Sequence, residues 1–146
     1  MTALLEKAIR IAVNAHMGQK DKAGAPYILH PLRVMMRMES EREMIAAVLH
    51  DVVEDTACTL ETLRREGFPA DTLCALDHLT RREAESYSDF INRVQENRLA
   101  VKVKLADLED NMNAGRLPLL TESDRQRLAR YRKAYALLTA RQFGRD

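Results

Sequence analysis

The sequence lacks the residues that mark disulfide-rich or membrane-spanning chains. It has no tryptophan and two cysteines, Cys58 and Cys74, which form no C-x-x-C pair. A chain of 146 residues needs no disulfide to fold, so we expect a reduced, cytoplasmic protein. The longest apolar run covers only 44–49, far short of the roughly 20 residues that a membrane-spanning helix requires.

The sequence also lacks an excess of charge of one sign. Its 23 Lys and Arg nearly balance 22 Asp and Glu, for a net charge of +1. This balance disfavours a general electrostatic attraction to nucleic acid or to an anionic membrane. Glu6, Lys7 and Arg10 exclude the apolar region of a signal peptide from the first ten residues. An anionic ligand would therefore have to be bound by a local basic cluster.

What the sequence does contain is apolar residues at helical spacing. Five glycines and four prolines separate segments rich in helix formers, and no segment alternates with period two. We therefore predict a compact all-α fold, with 1–146 as a single domain. Capping boxes at Ser86 with Asp89 and at Ser123 with Gln126 mark two helix starts. The predicted helices cover about 2–17, 31–38, 41–54, 60–67, 69–79, 86–97, 99–114 and 123–141, and 18–29 forms a loop.

The third predicted helix gathers ionisable residues on one face. At about 100° per residue, its apolar side chains fall within an arc of about 140°. His50, Asp51, Glu54 and Asp55 fall on the opposite side, within two turns. Taken alone, the solvated face of an amphipathic helix is the simpler interpretation of this pattern. The adjacent His-Asp pair nevertheless offers the mixed nitrogen and oxygen ligands that suit a divalent metal.

Further metal ligands would have to come from other segments. His30, just before Pro31 at a helix start, is one candidate, and an ordinary loop or capping histidine is its simpler interpretation. Asp107 is another, because Lys104, Asp107 and Asn111 lie together on their helix. An i,i+3 ion pair between Lys104 and Asp107 is the plainer alternative there. His16 is a candidate supporting or substrate group, and His78 receives no role.

Four segments together resemble a known family. They read H-x-G-Q at 16–19, G-x-P-Y-I-x-H-P at 24–31, L-H-D-V-V-E-D-T at 49–56 and V-K-L-A-D at 103–107, followed by Asn111. Their order and spacing, from about Ala8 to Asn111, resemble the hydrolase domain of the RelA/SpoT homologues. The His-Asp dipeptide alone is a weak signal, whereas the whole set is specific.

The resemblance implies an all-helical HD fold that removes the 3′-pyrophosphate from the alarmone (p)ppGpp. It assigns a metal, usually manganese, to His30, His50, Asp51 and Asp107. It assigns the handling of the attacking water to Glu54 and Asp55, and a substrate contact to Asn111. It also implies a stand-alone small alarmone hydrolase, since the long family members carry further domains.

Phosphate oxygens also need cationic partners. We favour Lys22 and Lys104, which lie within the matched segments, over the other available groups, which are Lys20, Arg81, Arg82 and Arg116. One residue departs from the family pattern: Asp21 stands where the long hydrolases carry a basic residue that packs against guanine. This departure leaves the nucleobase open.

Two other functions compete with hydrolysis of (p)ppGpp. One is an HD phosphohydrolase acting on another nucleotide or on a dinucleotide cofactor phosphate. The other is a non-catalytic module that binds an alarmone, although binding alone does not require both Glu54 and Asp55. A nucleic-acid-binding helical domain is disfavoured by the missing basic stripe. The sequence leaves the oligomeric state open.

Overall fold

The chain is built from α-helices, as predicted. The computed structural model describes residues 2–113 and 119–143. Its helices are α1 (Thr2–Ala15), α2 (Leu29–Met36), α3 (Glu41–Leu49), α4 (Val52–Asp55), α5 (Leu60–Arg65), α6 (Ala70–Leu79), α7 (Tyr87–Val94), α8 (Arg98–Asn111) and α9 (Glu122–Phe143). Within these ranges there is no strand, only one isolated β-bridge between Lys20 and Pro26. None of the described helices is both long and apolar enough to cross a bilayer.

Helices α3 and α8 lie at the centre of the fold. α3 packs against α1, α2, α6 and α8, and all of 45–49 is buried. α8 packs against α2, α3, α6, α7 and α9. Because neighbours cover both helices on several sides, even some charged side chains of α8 are enclosed. Asp107 and Asp110 on α8 are only 3% and 1% exposed.

The predicted third helix, 41–54, is not continuous. It is interrupted at His50 and Asp51, so that α3 ends at Leu49 and α4 begins at Val52. The His50 amide bonds Ala47 O at 3.3 Å, one residue short of an α-helical bond, and the His50 ring bonds the same oxygen at 2.6 Å. This tightening ends α3 and turns His50 into the interior, where it is 2% exposed.

The predicted start of the last helix is wrong by one or two residues. α9 is capped by Thr121, whose Oγ1 accepts from Asp124 N at 3.1 Å while Asp124 Oδ2 accepts from Thr121 N at 2.9 Å. This reciprocal pair replaces the predicted Ser123 box. Ser86 does cap α7, accepting from Asp89 N at 3.0 Å. The predicted helix 99–114 is observed as α8, which ends at Asn111, and residue 114 lies outside the described residues.

A half-buried ion pair fixes the connection between α6 and α7. Arg93 Nε lies 2.8 Å from Glu85 Oε2, with the two side chains 14% and 12% exposed. The same guanidinium donates to Asp77 O at 2.9 Å and to Thr80 O at 2.8 Å. Hydrogen bonding from Arg93 lowers the pKa of Glu85 from 4.5 to about 2. One arginine therefore joins α7 to the end of α6 and to the segment after it.

This pair predicts a specific dependence of stability on pH. The pKa of Glu85 is lower in the folded chain than in the unfolded chain. The ion pair with Arg93 therefore stabilises the fold fully at pH values above the unfolded pKa, and this stabilisation is lost as the pH falls towards 2. The difference in unfolding free energy between wild type and Glu85→Gln should shrink as the pH falls from about 5 to about 3. Urea denaturation at each pH measures it, with exposed Glu83→Gln as the control. A difference that is constant with pH would contradict the assignment.

Candidate functional site

Two histidine side chains enter the interior from different segments, and each has one ring nitrogen already hydrogen-bonded. His50 Nδ1 lies 2.6 Å from Ala47 O, which leaves Nε2 pointing inward. His30, in the first turn of α2, places Nδ1 2.6 Å from Asp110 Oδ2. A histidine bonded through one nitrogen to a carbonyl or carboxylate has its tautomer fixed, and the other nitrogen can accept a metal.

Asp110 and Arg33 support His30, and the sequence analysis missed both. Arg33 donates to the two oxygens of Asp110 at 2.8 and 3.0 Å, so that this buried carboxylate is held on two sides. Burial would raise the pKa of Asp110, but His30 and Arg33 hold it well below its usual value. Arg33 follows His30 by three residues and Asp110 follows Asp107 by three. Both therefore share a helix face with a predicted site residue, which is the signal that could have found them.

The four predicted metal ligands meet in one cluster. His30, His50, Asp51 and Asp107 each place one ligand atom within 4.8 Å of all the others. Asp107 Oδ1 lies 2.8 Å from His30 Nε2 and 3.3 Å from His50 Nε2, and Asp51 Oδ2 lies 3.0 Å from His50 Nε2. Residues 77 positions apart in sequence are therefore in direct contact.

The cluster fits a divalent metal ion. Two imidazole nitrogens and two carboxylate oxygens form a donor set for a borderline or hard cation. His50 Nε2 is fully buried and finds no well-aligned hydrogen-bond partner among the described residues. A buried polar nitrogen without a partner is costly unless another group satisfies it. A cation among these four donors would do so.

The charges around Asp107 keep it ionised. Burial would raise its pKa, but the Lys104 ammonium and the contacts with His30 and His50 hold the pKa well below its usual value. Lys104 Nζ lies 2.8 Å from Asp107 Oδ2, and Asn111 Nδ2 donates to Asp107 Oδ1 at 3.0 Å. The predicted polar group of α8 is thus assembled around one carboxylate rather than facing solvent.

The other two predicted carboxylates lie beside the cluster on the single turn of α4. Glu54 and Asp55 are exposed, and each places an oxygen within 4.8 Å of Asp51 and of the other. Glu54 Oε1 accepts a hydrogen bond from Arg81 N at 2.7 Å. Partial desolvation by the surrounding groups, followed by the negative charges of Asp51 and Glu54, raises the pKa of Asp55 to about 6. Both carboxylates are therefore open to a ligand.

A cavity of about 460 Å³ connects these groups, a volume in the range of small-molecule sites. Lys22, Lys104 and Asn111, the predicted substrate residues, all line it. Lys20 and Arg81 line it as well, whereas Arg82 is not part of the lining and Arg116 lies outside the described residues. The lining also includes residues that the sequence did not indicate as part of a site, among them Tyr27, Tyr87, Phe90, Arg127 and Tyr131.

The loop at one side of this cavity explains the roles of Asp21 and His16. Asp21 Oδ1 accepts hydrogen bonds from Ala23 N and Ala25 N, both at 2.9 Å, so its carboxylate shapes the loop even though the residue lines the cavity. His16 is buried and bonds Gln19 Oε1 at 2.9 Å, and Gln19 in turn reaches Asp55 O at 3.2 Å. The position of His16 suits a supporting role. His78 bonds Cys74 O and lies outside the cavity lining.

Comparison with known proteins gives several relatives, although no protein-family model matches the chain. A guanosine-3′,5′-bis(diphosphate) 3′-pyrophosphohydrolase of Aquifex aeolicus is 30% identical over 138 residues, which cover 86% of this chain and 19% of that protein. A GTP pyrophosphokinase of Streptomyces coelicolor is 34% identical over 125 residues, which cover 77% of this chain and 15% of that protein. The chain thus spans less than a quarter of the length of either relative.

A solved structure of similar size matches the whole fold. It is that of a metazoan ortholog of SpoT described as hydrolysing ppGpp. The two superpose with a TM-score of 0.76 at 25% identity, over 94% of this chain and 86% of that one. The resemblance seen in the sequence is therefore confirmed: the chain is a relative of the RelA/SpoT homologues and has the all-helical HD fold of their hydrolases.

Proposed function

We propose that the chain is a metal-dependent pyrophosphohydrolase that removes the 3′-pyrophosphate from (p)ppGpp or a close nucleotide analogue. The observation that carries the proposal is the cluster of His30, His50, Asp51 and Asp107, which lies beside two exposed carboxylates and beside cationic groups in one cavity. The names of the relatives support it. A small nucleotide is the proposed ligand.

The four clustered side chains would hold one divalent ion, which we propose to be Mn²⁺. When bound, such an ion lowers the pKa of a water molecule and offsets negative charge that develops on phosphorus. The chain supplies the geometry. His30 is oriented by Asp110, His50 by Ala47 O, and Asp51 by the Tyr27 hydroxyl, which donates to it at 2.5 Å.

The remaining chemistry is assigned to side chains around the cluster. Glu54 and Asp55 would orient the attacking water and accept its proton, which requires exposed carboxylates within reach of the cluster. Lys22 and Lys104 would bind the phosphate oxygens, and Asn111 would contact the substrate near the metal site. Two contacts fix the position of the Lys104 ammonium. It donates to Asp107 Oδ2, and its Nζ lies 5.1 Å from the centre of the Phe90 ring.

Product analysis with a nucleotide panel tests the proposal. The purified protein is incubated with Mn²⁺ and with 3′-pyrophosphorylated guanine and adenine nucleotides, nucleoside triphosphates and a dinucleotide cofactor phosphate. Release of pyrophosphate from a 3′-pyrophosphorylated nucleotide is the expected result. Release of phosphate from the other compounds alone would favour a different HD phosphohydrolase. Binding without turnover would favour an alarmone-binding module.

The metal assignment predicts unequal effects of two neighbouring substitutions on α8. Asp110→Asn weakens the support of His30 and should lower metal affinity about 10- to 100-fold. Glu109→Gln is the matched control, because Glu109 is exposed and bonds Arg37 and Tyr135 instead. Competition with a chelator measures both, and Asp51→Ala should abolish tight binding. Wild-type affinity in Asp51→Ala would refute the ligand set.

The role of Glu54 predicts a loss of turnover without a loss of metal. Glu54→Gln keeps the size of the side chain and an acceptor for Arg81 N but removes the base. We expect kcat to fall about 10²- to 10⁴-fold, the usual contribution of a general base. Metal content and melting temperature serve as controls. A kcat equal to that of the wild type would remove Glu54 from the mechanism.

The acidic residue at position 21 leads to a prediction about the preference between guanine and adenine substrates. Asp21→Arg supplies a guanidinium that can stack on a purine, so kcat/KM for the guanine substrate should rise relative to the adenine substrate. Asp21→Asn is the control, since it keeps the Oδ1 acceptor that shapes the loop and removes only the charge. If the ratio stays the same in Asp21→Arg, this side chain serves the loop alone.

A further inference from the structure

The helix that carries Glu54 is too short to hold its own geometry. α4 contains four residues, Val52–Asp55, and a single turn forms too few backbone bonds to be stable alone. The orientation of an exposed side chain on such a turn depends on contacts from elsewhere. For Glu54 that contact is the backbone N–H of Arg81, 27 positions along the chain.

Arg81 itself lies in a segment without helix or strand. We call 80–86, between α6 and α7, the connecting segment. Arg81 Nε donates to Glu85 O at 3.0 Å and Arg82 N donates to Glu85 Oε1 at 3.1 Å, so both basic residues depend on the position of Glu85. The location of the Arg81 amide is therefore decided by whatever fixes Glu85.

Arg93 fixes Glu85 and both ends of the turn that contains Arg81. Its Nε and Nη2 atoms each lie 2.8 Å from one oxygen of the Glu85 carboxylate. The same guanidinium donates to the carbonyl of Asp77, in the last turn of α6, and to that of Thr80, at the start of the segment. Arg93 is absent from the residues that line the cavity, so it does not touch a ligand there.

We propose that Arg93, through Glu85, is a positioning residue for the candidate catalytic carboxylate Glu54. It fixes the connecting segment so that the Arg81 amide meets Glu54 Oε1 and holds that carboxylate beside Asp51 and Asp55. The inference rests on the proposed function only for the part in which Glu54 acts on the attacking water. The contact between the two segments is independent of that function.

The arrangement requires an arginine rather than any cation. Four hydrogen bonds in different directions, two to one carboxylate and two to separate carbonyls, match the planar fork of a guanidinium. A lysine keeps the charge, but its single ammonium cannot span the Glu85 carboxylate and both carbonyls. Arg93→Lys should therefore loosen the connecting segment while leaving the charge of the protein unchanged.

The first arm of the test is kinetic. Arg93→Lys should lower kcat about tenfold, as is typical for loss of a supporting contact. KM and metal affinity should change less than about threefold, since neither depends on Glu54 orientation. Arg64→Lys is the matched control, because Arg64 forms an equally bidentate pair with Glu61 on exposed α5, away from the site. In a Glu54→Gln background, Arg93→Lys should cause no further loss of kcat.

The second arm of the test does not measure catalysis, so it separates this inference from the proposed function. The ¹H–¹⁵N resonance of the Arg81 amide should shift in Glu54→Gln and in Arg93→Lys, and stay in place in Arg64→Lys. If Arg93→Lys does not fold, Glu85→Gln takes its place, because it weakens the same ion pair without changing the size of the side chain. An unmoved Arg81 amide, or an equal kcat loss with and without Glu54, would overturn the inference. Absence of nucleotide cleavage by the wild type would refute only the proposed function.

Discussion

The organisation of this protein depends on the compensation of one buried negative charge. Asp107 lies on the central helix α8 and is almost inaccessible to solvent. A buried carboxylate without partners would cost several kcal/mol, and here His30, His50, Lys104 and Asn111 all contact it. Since these partners come from α2, the end of α3 and α8 itself, satisfying the carboxylate also draws together the elements of the site.

The interruption between α3 and α4 is the second requirement. In a continuous helix His50 would lie with Asp51, Glu54 and Asp55 on the face opposite the apolar residues, at the surface. The bonds from the amide and ring of His50 to Ala47 O end the helix and let the ring enter the core. The next turn then presents Glu54 and Asp55 outward, to the cavity. One local change of backbone separates the buried residues of the cluster from the exposed carboxylates.

Support for the site extends beyond the residues that line it. The motifs that resemble the family end at Asn111 and do not include Tyr87. Tyr87 on α7, together with Arg127 and Tyr131 on α9, also lines the cavity. Asp110 and Arg33 act on His30, and Arg93 acts on the connecting segment, without contributing to the cluster. The cavity thus depends on packing between the centre of the fold and its last helix.

The amino-acid sequence alone was enough to predict the all-α class and most helix positions to within a few residues, and its resemblance to a known family pointed to the residues of the cluster. It could do so because helical periodicity is local and because His30, His50, Asp51 and Asp107 fall in recognisable motifs. A single domain of 146 residues and a cytoplasmic location stay predictions. The burial of Asp107 and His50, the orientation of His30 by Asp110 and the contact between Arg81 and Glu54 became visible only in the folded structure. Those facts depend on contacts between residues 27 to 80 positions apart, and local pattern carries no information about which distant helices will pack together.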